Sequence, residues 1–150
     1  MLDVNDVIRD IAVLLRNEAT RHSISVRMDL GGDLPKVSGD RVQLQQVMMN
    51  LIGNGIDATK GMDGKRELVI SSQRTAEAEL LVCVSDTGVG LPAQQAEQIF
   101  QAFFTTKDHG TGMGLAICRS IVEAHDGRLW AVDNPPRGAA FHLVLPVRRV

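Results

Sequence analysis

The stretch Gln46-Val47-Met48-Met49-Asn50-Leu51-Ile52-Gly53-Asn54-Gly55-Ile56-Asp57, residues 46–57, decides how the rest of the chain is read. With Leu44 just upstream, Val47, Met48 and Leu51 recur at helical spacing on one face, while Gln43, Gln46, Asn50, Asn54 and Asp57 recur at the same spacing on another. From Asp40 onward the pattern predicts a helix with an apolar face for a core and a polar stripe along its whole length. A one-sided helix needs a layer to lie on, and the flanking sequence offers strands.

Upstream, residues 4–19 place Val7, Ile8, Ile11, Leu14 and Leu15 three and four apart, which predicts an amphipathic helix. Ile24, Val26, Met28 and Leu30 then alternate as a half-buried strand does, until Gly31, Gly32 and Pro35 break the pattern. Downstream, residues 68–73 and 80–86 read as two strands of a hairpin across Ala76-Glu77-Ala78. Pro92 opens a short helix reaching Phe100, a glycine-rich segment follows to Gly112, and residues 115–125 form a helix stopped by Gly127. Residues 128–132 and 141–147 close the chain as strands. Strands that pair with near neighbours, interleaved with one-sided helices, predict a mixed two-layer α/β sandwich with helices on one face of the sheet.

The chain has 150 residues, 44% of them apolar, enough for one core and hardly more, so a single domain over 1–150 is expected. A net charge of −2 leaves no broad basic surface, which argues against nucleic acid as a partner. Cys83 and Cys118 lie far apart in apolar runs without a Cys/His cluster, as buried reduced thiols of a cytosolic domain would. No run approaches the roughly 18 apolar residues of a membrane span. The first residues lack the basic-then-apolar layout of a secretory signal. The segment is expected to be cytoplasmic and out of direct contact with a membrane, although it can belong to a longer, membrane-anchored chain.

Three stretches carry chemistry. On the polar helix, Asn50 and Asn54 stand one turn apart, so two amide carbonyls can face one spot, and Asn54 offers the hard oxygen ligand that Mg²⁺ accepts beside polyphosphate oxygens. The alternative is a solvated helix face. At Asp86-Thr87-Gly88-Val89-Gly90 a strand ends in a carboxylate followed by two glycines. The carboxylate can accept from an exocyclic amine such as that of adenine, and the glycines let a flat ring approach; an ordinary Asp-Thr-Gly turn reads equally well. Gly110-Thr111-Gly112-Met113-Gly114-Leu115 runs into a helix, where free amides and the positive helix end can cradle phosphate. No Walker lysine follows, and the glycine spacing is not that of a dinucleotide fingerprint. Thr106, Lys107 and His109 precede it, and Lys107 can neutralise phosphate oxygens or simply be solvated.

Taken together the residues resemble sensor histidine kinases. Residues 50–58 are similar to the N box of that family, 86–90 to its G1 box, Phe103-Phe104-Thr105-Thr106-Lys107 to its F box, and 110–114 to its G2 box, in the family's order and spacing. Residues 103–130 are especially similar to kinases of the oxygen-sensing and nitrogen-regulatory kind. The resemblance covers nearly the whole chain and implies the Bergerat ATP-binding fold, with a mostly antiparallel mixed sheet and a mobile lid, and with ATP and Mg²⁺ as ligands. It implies that Asn54 holds Mg²⁺ and Asp86 reads the adenine amine. It implies further that Asp57, Gly88, Gly90, Thr106, Lys107, Gly110, Thr111, Gly112, Met113, Gly114 and Leu115 line the nucleotide site.

ATPase relatives carry a glutamate at the position of Asn50 to activate water. Its replacement here suits transfer to a histidine, whose imidazole already has a lone pair, so Asn50, Asn54 and Lys107 would act by positioning and charge neutralisation. Two departures stand out. Ala140 takes the place of a threonine whose hydroxyl supports the adenine contact through water, which is expected to weaken base recognition, and Asp126 takes the place of a glycine.

None of His22, His109, His125 and His142 lies in a phosphoacceptor motif. The chain is therefore expected to be the catalytic module alone, with its dimerisation and histidine phosphotransfer domain and a response regulator receiver domain as partners. Two other functions share the fold: a nucleotide-responsive protein-binding module without chemistry, and a serine kinase of the anti-sigma type.

Overall fold

The computed structural model describes residues 1–91, 98–100 and 114–147. Helix α1 spans Val4–Arg21, strand β1 Ser25–Leu30, helix α2 Arg41–Thr59, and strands β2 and β3 Glu67–Arg74 and Glu79–Asp86. A 3₁₀ turn at Gln98–Phe100 is followed by helix α3, Gly114–Ala124, and by strands β4, Arg128–Asp133, and β5, Ala139–Pro146. Both long helices start on an aspartate cap: Asp3 accepts from the amide of Asn5 at 2.9 Å, and Asp40 from that of Gln43 at 3.0 Å.

The five strands form one sheet in the order β1-β2-β3-β5-β4, with β1 parallel to β2 and every other pair antiparallel. This is the mixed two-layer sandwich that the patterning predicts, mostly antiparallel as the family resemblance implies. Ile8, Val47, Leu51, Leu68, Ile70 and Leu143 are wholly buried between the helices and one sheet face. Each such side chain contributes about 1.5–3 kcal/mol. The β2–β3 hairpin and the helical register of α2 are as the sequence implies.

Some expectations need correcting. Strand β1 is not half-buried: Val26 and Met28 are 40% and 44% exposed, because β1 is an edge strand with a neighbour on one side only. Leu14 is largely exposed, since beyond Ile11 it is Leu15 and Ala19 that turn toward the core, Leu15 only partly buried. Cys83 is half-buried on the face of the sheet away from the helices, whereas Cys118 is fully buried. Of the short helix expected from Pro92, residues 98–100 form the 3₁₀ turn, and the remainder lies outside the described residues.

Candidate functional site

Alternation along β3 places Leu80, Val82, Val84 and Asp86 on the helix side of the sheet, so the last of them buries a carboxylate among apolar neighbours. Burial raises the pKa of Asp86; hydrogen bonds from the amides of Gly88, at 2.9 Å, and Ala139, at 3.2 Å, pull it back in part. Both of those bonds fall on Oδ1. Oδ2 keeps its accepting capacity for a ligand amine.

The two glycines after Asp86 are required for different reasons. A β-carbon on Gly88 would stand 2.3 Å from the carbonyl oxygen of Ala58, so the turn lies hard against the end of α2, and Val89 donates to that same oxygen at 3.1 Å. Gly90 has φ +81°, in the left-handed region. Gly55 performs the equivalent service in the middle of α2, where a β-carbon would lie 2.5 Å from Leu68 Cδ1 and 3.9 Å from Asp86 Cβ. The neighbouring turns carry Asn50 and Asn54, both half-buried. Asn50 in turn meets the start of α3: a β-carbon on Gly114 would stand 3.5 Å from its Oδ1. Beneath it, burial drives the Cys118 thiol up to about 11, against the lowering effect of a hydrogen bond with the Asn50 side chain. That cysteine is an inert core residue.

Asp86, the asparagine-bearing stretch of α2 and the first turn of α3 therefore converge, although they are remote in sequence. Leu115, at the start of α3, packs on the core. Asp57 is exposed and paired with Lys60 at 3.3 Å, and it borders a groove between α1 and α2 together with Leu14 and Arg21. Thr106, Lys107, Gly110, Thr111, Gly112 and Met113 lie outside the described residues, as does His109.

Sequence reasoning misplaced one residue and missed others. In the β3–β5 register Ala140 pairs with Ser85 and Phe141 with Val84, so Ala140 lies on the face opposite Asp86. Its neighbour Ala139 is the one beside the carboxylate. The expectation that the missing hydroxyl at Ala140 affects base recognition is thus corrected by the two-residue period of the strand. Among the missed residues, Asn134 donates its side-chain amide to the Asp86 carbonyl at 2.7 Å, and Arg137 donates to that of Thr87 at 2.6 Å. Gly138, at φ +116°, passes so close that a β-carbon would fall 1.9 Å from the Asp86 carbonyl oxygen. The signal was present as a Pro-Pro-Arg-Gly turn between two strands. Arg119 was missed as well; its guanidinium lies 4.1 Å over the Phe100 ring and donates to Leu129 O, while Phe100 meets Phe141 edge-on.

Three described histidines have structural roles. His22 ends α1 beside Glu18, and His142 stacks on Trp130 at 5.3 Å, its pKa lowered by burial. His125 accepts from the Asp40 amide at Nε2, which leaves Nδ1 to carry the proton toward Ile121 O at 2.8 Å. Asp126 holds the left-handed conformation, φ +62°, that a glycine would take there more easily. No helix among the described residues is long and apolar enough to cross a membrane.

Comparison with known proteins agrees with this geometry. Residues 39–149 match the family described as histidine kinase-, DNA gyrase B-, and HSP90-like ATPase. The chain is 39% identical over 148 residues to sensor histidine kinase TmoS of Ectopseudomonas mendocina, covering 97% of this chain and 15% of that protein. It is 44% identical over 128 residues to sensor protein FixL of Bradyrhizobium diazoefficiens, covering 85% of this chain and 25% of that one. It thus spans a quarter or less of these two relatives. Among solved structures, the nucleotide-free catalytic domain of histidine kinase ThkA superposes with a TM-score of 0.86 at 33% identity, over 97% of this chain and 93% of that one. Full-length ShkA in complex with AMPPNP superposes with a TM-score of 0.86 at 25% identity, over 99% of this chain and 31% of that one. ThkA in complex with the response regulator TrrA gives 0.82 at 30% identity, over 98% and 41%. With the family match running over most of its length and the fold shared with solved catalytic domains, the chain belongs to the histidine kinase-, DNA gyrase B-, and HSP90-like ATPase family, as a catalytic domain of the sensor histidine kinase type.

Proposed function

We propose that this domain binds Mg-ATP and donates the γ-phosphoryl group to a histidine on a separate dimerising helical hairpin, from which it passes to a response regulator. The observation that carries the reading is the Asp86 carboxylate, buried at the end of β3 with both backbone hydrogen bonds on one oxygen. A buried carboxylate with its other oxygen uncommitted suits an adenine amine, and the glycines beside it admit the ring. Asn54 would hold Mg²⁺, which supplies charge neutralisation at the phosphates. Gly114 and Leu115 open an 11-residue helix whose positive end favours phosphate. In the same reading Asp57, Thr106, Lys107, Gly110, Thr111, Gly112 and Met113 complete the nucleotide's surroundings.

At transfer, the bond from the γ-phosphorus to the bridging oxygen breaks, ADP leaves, and a phosphorus–nitrogen bond forms on the acceptor imidazole. The attacking nitrogen brings its own lone pair, so no carboxylate base is needed, consistent with Asn50 rather than an acid at that position of α2. Among the described residues His22, His125 and His142 are all engaged structurally, which supports an acceptor on another domain. Little ATP turnover is expected from the isolated domain.

The test has two steps. Titration with a non-hydrolysable ATP analogue should show saturable, Mg-strengthened binding. Addition of a cognate histidine-bearing hairpin with γ-labelled ATP should then label that histidine. Binding without transfer would favour a nucleotide-responsive docking module, label on a serine would favour the anti-sigma type of kinase, and absence of binding would overturn the reading.

A further inference from the structure

Arg137 lies on the turn between β4 and β5 and spends all three guanidinium nitrogens on backbone carbonyls. Nε donates to Thr87 O at 2.6 Å, and the two terminal nitrogens donate to Asp63 O and Lys65 O, each at 2.8 Å. Its partners belong to two segments, the α2–β2 connection and the turn after β3, which are also joined to each other through the Thr87 hydroxyl, donating to Lys65 O at 2.8 Å. A planar fork with five donors can bridge carbonyls fixed at separate points; a lysine ammonium, a single point of charge, cannot reproduce that geometry.

The consequence for Asp86 is direct. One residue after Arg137, Gly138 presses on the Asp86 carbonyl with no room for a β-carbon, and the next, Ala139, donates to Oδ1. At the other end of the turn Asn134 holds the Asp86 carbonyl through its side chain and closes the loop by donating its own amide to Gly138 O at 3.0 Å. The backbone and the carboxylate of Asp86 are therefore both oriented by this hairpin, and Arg137 fixes the hairpin against the rest of the domain. We propose that Arg137 is a positioning residue for base recognition, setting the direction of the Asp86 carboxylate without touching the nucleotide. The inference rests on the reading of Asp86 as the adenine-binding group.

The experiment compares the wild-type chain with Arg137→Met and Arg137→Lys. Kd is measured for a non-hydrolysable ATP analogue, its guanine counterpart and inorganic tripolyphosphate, alongside melting temperature. Arg137→Met should weaken the adenine nucleotide about tenfold, the weight of one charge-assisted hydrogen bond, and narrow its advantage over guanine. Affinity for tripolyphosphate should hold, because the phosphate end does not depend on Asp86, and Arg137→Lys should fall between. Should Arg137→Met not fold, Arg137→Lys carries the test through the same adenine-to-guanine ratio. An unchanged ratio with a lowered melting temperature, or a parallel loss of tripolyphosphate, would reduce Arg137 to a structural tie and overturn the assignment. If the wild-type chain itself binds no adenine nucleotide, the nucleotide reading fails, and this one with it.

Discussion

Ala139 donates its backbone amide to Asp86 Oδ1 at 3.2 Å, whereas Ala140, its neighbour, pairs with Ser85 on the opposite face of the sheet. The contact with the carboxylate is made by main chain, and the side chain at position 140 has no part in it.

Ala140→Thr should therefore leave nucleotide affinity within about twofold of wild type, because a hydroxyl added there points away from Asp86. Titration of the two proteins with the same ATP analogue decides it. An increase of tenfold or more would mean that the strand register across β3 and β5 is wrong.

Asp86→Asn separates stability from binding. The amide oxygen can still accept from Gly88 and Ala139, so the turn survives, while the new NH₂ replaces the oxygen offered to the base. Affinity should fall at least about tenfold, and the free domain should melt no lower than wild type, since a buried charge has been removed. The pH dependence follows from the raised pKa. Below the ordinary value of 3.8 the carboxyl is neutral in both folded and unfolded chains, and as pH rises through the higher folded value its ionisation costs the folded state stability. Adenine affinity runs the other way, full above the folded value and declining as pH falls through it. Melting curves and titrations across that window should show the two trends opposed in wild type and absent in Asp86→Asn.

Glycines in one helix and the adjoining turn should respond oppositely to alanine. At Gly53, within α2, a β-carbon meets nothing within 4 Å, so Gly53→Ala should stabilise by about 1 kcal/mol through helix propensity. At Gly88 the β-carbon would collide with the Ala58 carbonyl, and Gly88→Ala should cost about 1–3 kcal/mol as the turn is pushed off α2. Thermal melts of the free proteins give both numbers.

The contrast also shows how far the sequence could be read. Helix α2, the β2–β3 hairpin and the carboxylate ending β3 were legible because each is written in a local period or a local turn. The exposure of Val26 and Met28 was not, since an edge strand has the same alternation as a central one and only sheet order distinguishes them. Asn134, Arg137 and Ala139 reach Asp86 and Thr87 across 48 to 53 residues of sequence, through bonds that each use a main-chain atom and that no side-chain pattern encodes. Arg119 over Phe100 is hidden for the same reason: the pair is joined only when α3 closes on the 3₁₀ turn.

Thr59 closes α2 wholly buried, and its hydroxyl has no hydrogen-bond partner among the described residues. Taking a hydroxyl out of water without replacing its bond costs about 1–3 kcal/mol, and valine has nearly the same shape without the polar atom. Thr59→Val should accordingly stabilise the free domain by about 1 kcal/mol, raising its melting temperature by a few degrees. It should leave ATP-analogue affinity unchanged, since the close contact of Gly88 with α2 is made through Ala58 rather than Thr59. A loss of stability in Thr59→Val would show that the hydroxyl is satisfied in solution, by an internal water at the end of the helix, and that this end of α2 is wetter than its burial implies.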